Sequence, residues 1–136
     1  MTTYGTIKAN NITHSTKGTI STEKVIEGSA KCWVQYRQTD TAAVKSSLNV
    51  TSVTDDAAGV WTVAITNSFT DQFYCNSGTS DGGSTTQAVV CNAFNADYPS
   101  GSYRSSSTTR CGTRKISDNG LQDRTFNTMT YWGDLA

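Results

Sequence analysis

From Ala30 onward the chain alternates: Ala30, Cys32, Val34 and Tyr36 fall on one side of an extended segment, and Lys31, Trp33, Gln35 and Arg37 on the other. A period of two predicts a strand over residues 30–37. A second strand runs through Leu48, Asn49, Val50, Thr51, Ser52 and Val53, and a third through Trp61, Thr62, Val63, Ala64 and Ile65. Asp55-Asp56-Ala57-Ala58-Gly59 lies between them, so the pair reads as a β-hairpin with a Gly-containing loop. Strict alternation in the third strand puts Trp61, Val63 and Ile65 on one face, which is expected to be buried. Further strands are predicted at about Gln72–Asn76, Gln87–Phe94, Tyr103–Arg114 and Arg124–Trp132. In the last of these, Phe126, Thr128, Thr130 and Trp132 alternate against Thr125, Asn127, Met129 and Tyr131, and Asp118-Asn119-Gly120 supplies the preceding turn. The stretch from Asn76 to Ser84 holds so many Gly and Ser residues that an exposed loop is expected there. About seven to eight short strands, with no amphipathic helix, predict an all-β fold, an antiparallel β-sandwich.

The first 28 residues follow a different rule. Ile7, Ile12, Ile20, Val25 and Ile26 are isolated among Thr, Asn, Ser and Gly, with no sustained period, so this segment cannot build a core of its own. Two readings stay open: disorder, or an extended attachment arm that pairs with a neighbouring subunit or a larger assembly. The expected division is therefore an N-terminal arm over 1–28 and a β domain over 29–136.

Composition narrows the function. A chain of 136 residues is expected to form one domain with one real core. Lys and Arg number 11, as do Asp and Glu, so no net field draws in nucleic acid or an anionic membrane. Only 16% of residues are charged, and Ser, Thr, Asn and Gly carry the polarity; that is the surface of a β protein that touches other protein or carbohydrate. No apolar run approaches the ~20 residues needed to span a bilayer, and no signal-peptide pattern opens the chain, so synthesis in a cytoplasm without membrane insertion is expected. Cys32, Cys75, Cys91 and Cys111 have no CxxC spacing and accompany a single histidine, His14. They read as small buried hydrophobes rather than metal ligands, and no metal or cofactor is expected.

Candidate chemistry is sparse. Nucleophilic catalysis needs a base near the nucleophile, and His14 sits in the weakly patterned arm. Asp55, Asp56, Asp81, Asp97, Asp118 and Asp123 all fall in predicted loops or turns, where they read as turn formers rather than a paired acid and base. No calcium-loop, dinucleotide or P-loop spacing is present, and the chain is not expected to be an enzyme. Asn11-Ile12-Thr13 and Asn49-Val50-Thr51 match the glycosylation pattern by chance. Exposed loop aromatics are the better signal, because Tyr stacks on sugar rings at low entropic cost. Tyr98 and Tyr103 bracket Pro99-Ser100-Gly101-Ser102 and are followed by Arg104. With Asp81, they are the receptor-contact candidates, the other reading being that one of the tyrosines packs as a lid on the core end.

Ala30-Lys31-Cys32-Trp33-Val34, then Ser47-Leu48-Asn49-Val50-Thr51-Ser52-Val53-Thr54-Asp55, then Gly59-Val60-Trp61-Thr62-Val63, with Gly133-Asp134 near the end, form a recognisable series. Over roughly residues 28–136 the chain resembles a small β domain at the C-terminal end of tail fibre proteins of marine bacteriophages, particularly those of cyanobacteria. The shared motifs are strand patterns, and none is a chemical site. The resemblance implies a homotrimeric virion protein, exposed on the particle and contacting the host envelope, a surface glycan or protein, without enzymatic activity. Its contact surface is expected in the loops around Ser77–Ser84 and Asp97–Arg104. A second reading remains open: an architectural decoration, cement or adaptor protein of the capsid, neck or tail, joined to other virion proteins through its arm.

Overall fold

The computed structural model of the chain describes residues 9–81, 89–93, 104–115 and 120–136, and for 89–93 and 115 the backbone alone. Ten strands and one short helix make up these residues: β1 (Asn11–His14), β2 (Gly18–Ser21), α1 (Thr22–Gly28), β3 (Cys32–Arg37), β4 (Ala43–Leu48), β5 (Val50–Ala57), β6 (Val60–Ile65), β7 (Cys75–Ser80), β8 (Val89–Ala93), β9 (Thr108–Lys115) and β10 (Asn127–Trp132). They form an all-β arrangement of three antiparallel sheets: the pair β1-β2, a four-stranded sheet in the order β4-β3-β10-β7, and a second four-stranded sheet in the order β5-β6-β9-β8. No helix among the described residues is long and apolar enough to cross a membrane.

The period-two reading holds where the core is. On β3, Cys32, Val34 and Tyr36 are buried, on β6 Trp61, Val63 and Ile65, and on β10 Asn127, Met129 and Tyr131. Side chains from both four-stranded sheets enter one core cluster, joined by Phe69, Tyr74 and Cys111. The Tyr36 and Trp61 rings meet at 5.1 Å between centroids, and the Cys111 thiol lies 3.2 Å from the Tyr131 hydroxyl. Trp61, Val63 and Cys111 retain no exposed surface, so burial here delivers the full apolar transfer term.

Asn49 decides how the chain passes from one sheet to the other. The predicted second strand, Leu48–Val53, is in fact the seam between β4 and β5. At Asn49 the backbone turns to φ 58°, the left-handed region that Asn tolerates better than most residues. Its side chain holds the turn by accepting from Asn67 N at 2.7 Å and donating to Asn67 O at 3.0 Å. Its carbonyl accepts from Thr66 N at 3.1 Å. The strand therefore breaks with both the Asn49 side-chain amide and its backbone carbonyl paired.

Two further expectations are revised. The stretch from Asn76 to Ser80, predicted as loop, is part of edge strand β7, paired with β10 from Asn127↔Ser80 to Trp132↔Cys75. Main-chain pairing holds this strand, aided by side-chain hydrogen bonds to β10, Thr79 Oγ1 to Thr128 Oγ1 at 2.8 Å and Ser80 Oγ to Asn127 Oδ1 at 2.7 Å, and Gly and Ser do not oppose them at an edge where little side-chain packing is needed. Residues 82–84 lie outside the described residues, as does most of the Asp118-Asn119-Gly120 turn. The loop predicted over 55–59 shortens to Ala58-Gly59, because a register shift between Asp55 and Ala57 lets β5 run on to Ala57. Gly59 has φ 65°, and a Cβ there would lie 2.8 Å from Thr113 O and against the Gln122 backbone, so only glycine fits.

The N-terminal segment is more ordered than its sequence pattern predicts. β1 pairs with β2 from Asn11↔Ser21 to His14↔Gly18, and α1 follows with Ser21 as N-cap, its hydroxyl accepting from Lys24 N. Yet no described residue from 9 to 28 is buried. Ile12 and Ile20 face each other across the hairpin and stay 53% and 43% exposed.

Candidate functional site

A glycine at the exit of β10 shapes a recess among the described residues. A Cβ on Gly133 would fall 2.8 Å from Tyr74 Cβ and 3.2 Å from Phe69 Cδ1, so a larger residue would push the chain end off these rings. With glycine there, residues 134–136 run back along 68–70: Thr70 N donates to Asp134 O at 2.8 Å, Ala136 N to Ser68 O at 2.9 Å, and Phe69 bridges Leu135. The resemblance motif Gly133-Asp134 therefore marks a packing requirement. Behind it the aromatic rings interlock. Phe69 stacks on Tyr74 at 4.3 Å, Tyr74 meets Tyr131 edge-on at 5.8 Å, and the Tyr74 hydroxyl donates to Thr108 O at 3.2 Å.

Above this floor opens a cleft of about 450 Å³, lined by Glu27, Phe69, Thr70, Asp71, Phe73, Tyr74, Cys75, Trp132, Gly133 and Asp134. That volume lies within the range of small-ligand sites. Its walls come from three places: the segment between β6 and β7, the end of β10, and the last turn of α1. Successive residues of an extended chain point to opposite sides, so Tyr74 enters the core at 4% exposure while Phe73 stands out at 81%. Asp71 fixes this arrangement by accepting from Phe73 N at 2.7 Å. Trp132 follows the buried Tyr131 and so lies half-buried on the outer face of its sheet, beside Cys75.

The chemistry of the lining is one-sided. Glu27, Asp71 and Asp134 supply carboxylates, Thr70 a hydroxyl, and Phe73 and Trp132 accessible ring surface, while no Lys, Arg or His is among the described residues that line the cleft. Such a site offers acceptors for hydroxyl or ammonium donors around an apolar platform. It repels anions.

The candidates named from the sequence are distributed otherwise. Arg104 sits 3.9 Å from the Tyr74 ring centroid, behind the cleft wall, where its cation faces a π-surface. Burial raises the Tyr74 phenol above its ordinary value, opposed by hydrogen bonding to Thr109 and Arg104 and by the Arg104 charge. Asp81 lies past the opposite end of β7, six strand residues away, or roughly 20 Å along the strand. Its backbone N–H donates to Phe126 O at 2.9 Å. The structure thus places Arg104 next to the cleft and Asp81 away from it. Tyr98 and Tyr103 lie outside the described residues. Sequence reasoning does not single out Phe73, Trp132 or Asp71, and quotes Asp134 only within the Gly133-Asp134 motif, with no contact role. The one available signal is the pair Phe73-Tyr74 beside Asp71, two adjacent aromatics of which an extended chain can bury only one.

The thiols are spread through the fold. Cys32 and Cys111 are buried, Cys75 is exposed, and the Cys91 side chain lies outside the described residues. Burial pushes the Cys32 thiol up to about 12, which leaves it protonated and unreactive at neutral pH. His14 is on the exposed hairpin, its Nδ1 3.2 Å from Thr16 N. Among the described residues no group of three or more His, Cys, Asp or Glu is arranged to hold a metal ion. No family model matches the chain, and neither do the curated proteins or the solved structures with which it was compared.

Proposed function

We propose that the chain is a β-sandwich module of a bacteriophage particle, made in the host cytoplasm and homotrimeric in the virion. It acts as a short tail fibre or fibre tip that contacts the host surface by binding alone. The observation that carries this reading is the cleft under Phe73 and Trp132. An 81%-exposed aromatic beside a preformed recess is a contact surface rather than a core element. The strand motifs that resemble marine phage fibres support it, since they coincide with β3, with the β4–β5 seam and with β6, the elements that support the core.

The architectural reading keeps one observation in its favour. Ile12, Ile20, Val25 and Ile26 are all more than a third exposed on the N-terminal hairpin and helix. Such a face suits attachment to another virion protein.

Two measurements test the proposal. Purified chain added in excess should compete with intact particles for adsorption to host cells, and antibody labelling should place it at the tail end. Labelling spread over the capsid, with no competition, would select the decoration role instead. Light scattering should report a trimer at micromolar concentration, and a stable monomer would remove the fibre reading.

A further inference from the structure

We propose that the cleft between Phe73, Trp132 and Asp134 is a saccharide site selective for neutral or amine-bearing sugars against acidic ones. The inference rests on the cleft being the contact surface of the proposed virion module, and adds the chemical class of what it holds.

Three features converge on this ligand. First, the recess has the volume of a site for one or two small rings, about 450 Å³, and a wall that cannot collapse, because Phe69, Tyr74 and Tyr131 interlock behind it. Second, the accessible rings of Phe73 and Trp132 are apolar surfaces able to stack on the C–H face of a pyranose, and the Asp71 turn fixes the backbone from which Phe73 projects. Third, the polar groups lining the space are Glu27, Asp71, Asp134 and Thr70. Carboxylates accept from sugar hydroxyls, often two at a time, and attract an ammonium substituent.

The same carboxylates decide what is refused. A uronate, sialate or phosphate entering the cleft would meet three acidic side chains with no base among the lining residues to balance them. Arg104 does not reverse this, because its guanidinium is directed at the Tyr74 ring behind the wall. A purely apolar occupant fits less well, since it would strip water from the acids without replacing their hydrogen bonds.

The test is an NMR titration of the full chain with three probes of equal length: an N-acetylglucosamine hexamer, a glucosamine hexamer and a hexagalacturonate. Choline serves as a non-sugar cation. The expected result is binding of both hexosamines, the free-amine form more tightly, with shifts centred on residues 70–75 and 132–134, and none with hexagalacturonate. Phe73→Ala alters an exposed ring and should leave the fold intact while weakening binding roughly tenfold. Glu27→Gln combined with Asp134→Asn should erase the preference for the free amine but retain the N-acetyl form. Binding of hexagalacturonate alone, of choline without either hexosamine, or of no probe would each overturn the inference. Adsorption competition by the chain, if it persists in any of those cases, would leave the virion reading standing and move its contact site elsewhere.

Discussion

Trp61 and Ile12 are both large apolar residues on antiparallel strands, yet one is wholly buried and the other 53% exposed. The difference lies in what stands opposite the strand. β6 has β5 and β9 beside it in its sheet and, across the core, the side chains of β3 and β10. Among the described residues β1 pairs with β2 alone, and Ile12 and Ile20, which face each other across the pair, stay 53% and 43% exposed. Both regions satisfy their backbone by pairing, but only one gains apolar burial. Pairing contributes little net stability in water, whereas burial of a large side chain contributes about 1.5–3 kcal/mol. An isolated two-stranded hairpin is marginal for that reason. The body should therefore fold by itself, and the N-terminal segment should depend on what it meets.

The largest expected effect tests the body. Trp61→Ala should cost about 3–5 kcal/mol in denaturant melts, as for a fully buried aromatic. A loss under about 1 kcal/mol would mean that β6 is not the centre of the core. Alkaline pH should act on the core. Cys32 is raised from 9.0 to about 12 by burial. Tyr36 is raised from 10.0 to about 12 by burial and then by Asp55, Asp123 and Asp56. Both groups are neutral when protonated, and the unfolded chain ionises first. Stability should hold below pH 9.0 and fall as pH rises towards about 12, by up to about 1 kcal/mol per pH unit for Cys32. Urea midpoints measured across that window should follow this course, and Cys32→Ala should make it shallower. A flat profile in the parent protein would indicate that the thiol is accessible.

Asn49→Ala probes the seam inside the body. It forces alanine into φ 58° and removes both side-chain bonds to Asn67, for an expected loss of about 1–3 kcal/mol. Asn49→Gly should lose less, because glycine takes that backbone without strain. Equal losses would assign the effect to the hydrogen bonds rather than the turn. The smallest expected change in stability tests the other half of the comparison. Ile12→Thr with Ile20→Thr should shift the midpoint by no more than about 0.5 kcal/mol, and deletion of residues 1–28 should leave the body folded. Either variant should nevertheless fail to join particles. A midpoint loss above about 1 kcal/mol would show that the hairpin belongs to the core after all.

The residues themselves determined the strands that line the core, because a period of two is a local property and the inward residues of β3, β6 and β10 are apolar enough to display it. Alternation alone assigns Cys32, Val34 and Tyr36 to one face of their strand, and Trp61, Val63 and Ile65 to one face of theirs. Where side chains are small and polar the same logic fails. In β7, Asn76-Ser77-Gly78-Thr79-Ser80 carries no hydrophobic signal, and only the neighbouring β10 makes it a strand. Asn49 likewise reads as one more strand residue until the second sheet exists for the chain to turn into. The cleft belongs to this second class altogether. The pair Asp71 and Phe73 is distant in sequence from the pair Trp132 and Asp134, and the two come together because Gly133 lets the chain end pass against Tyr74 and Phe69, an approach that only the folded packing can specify.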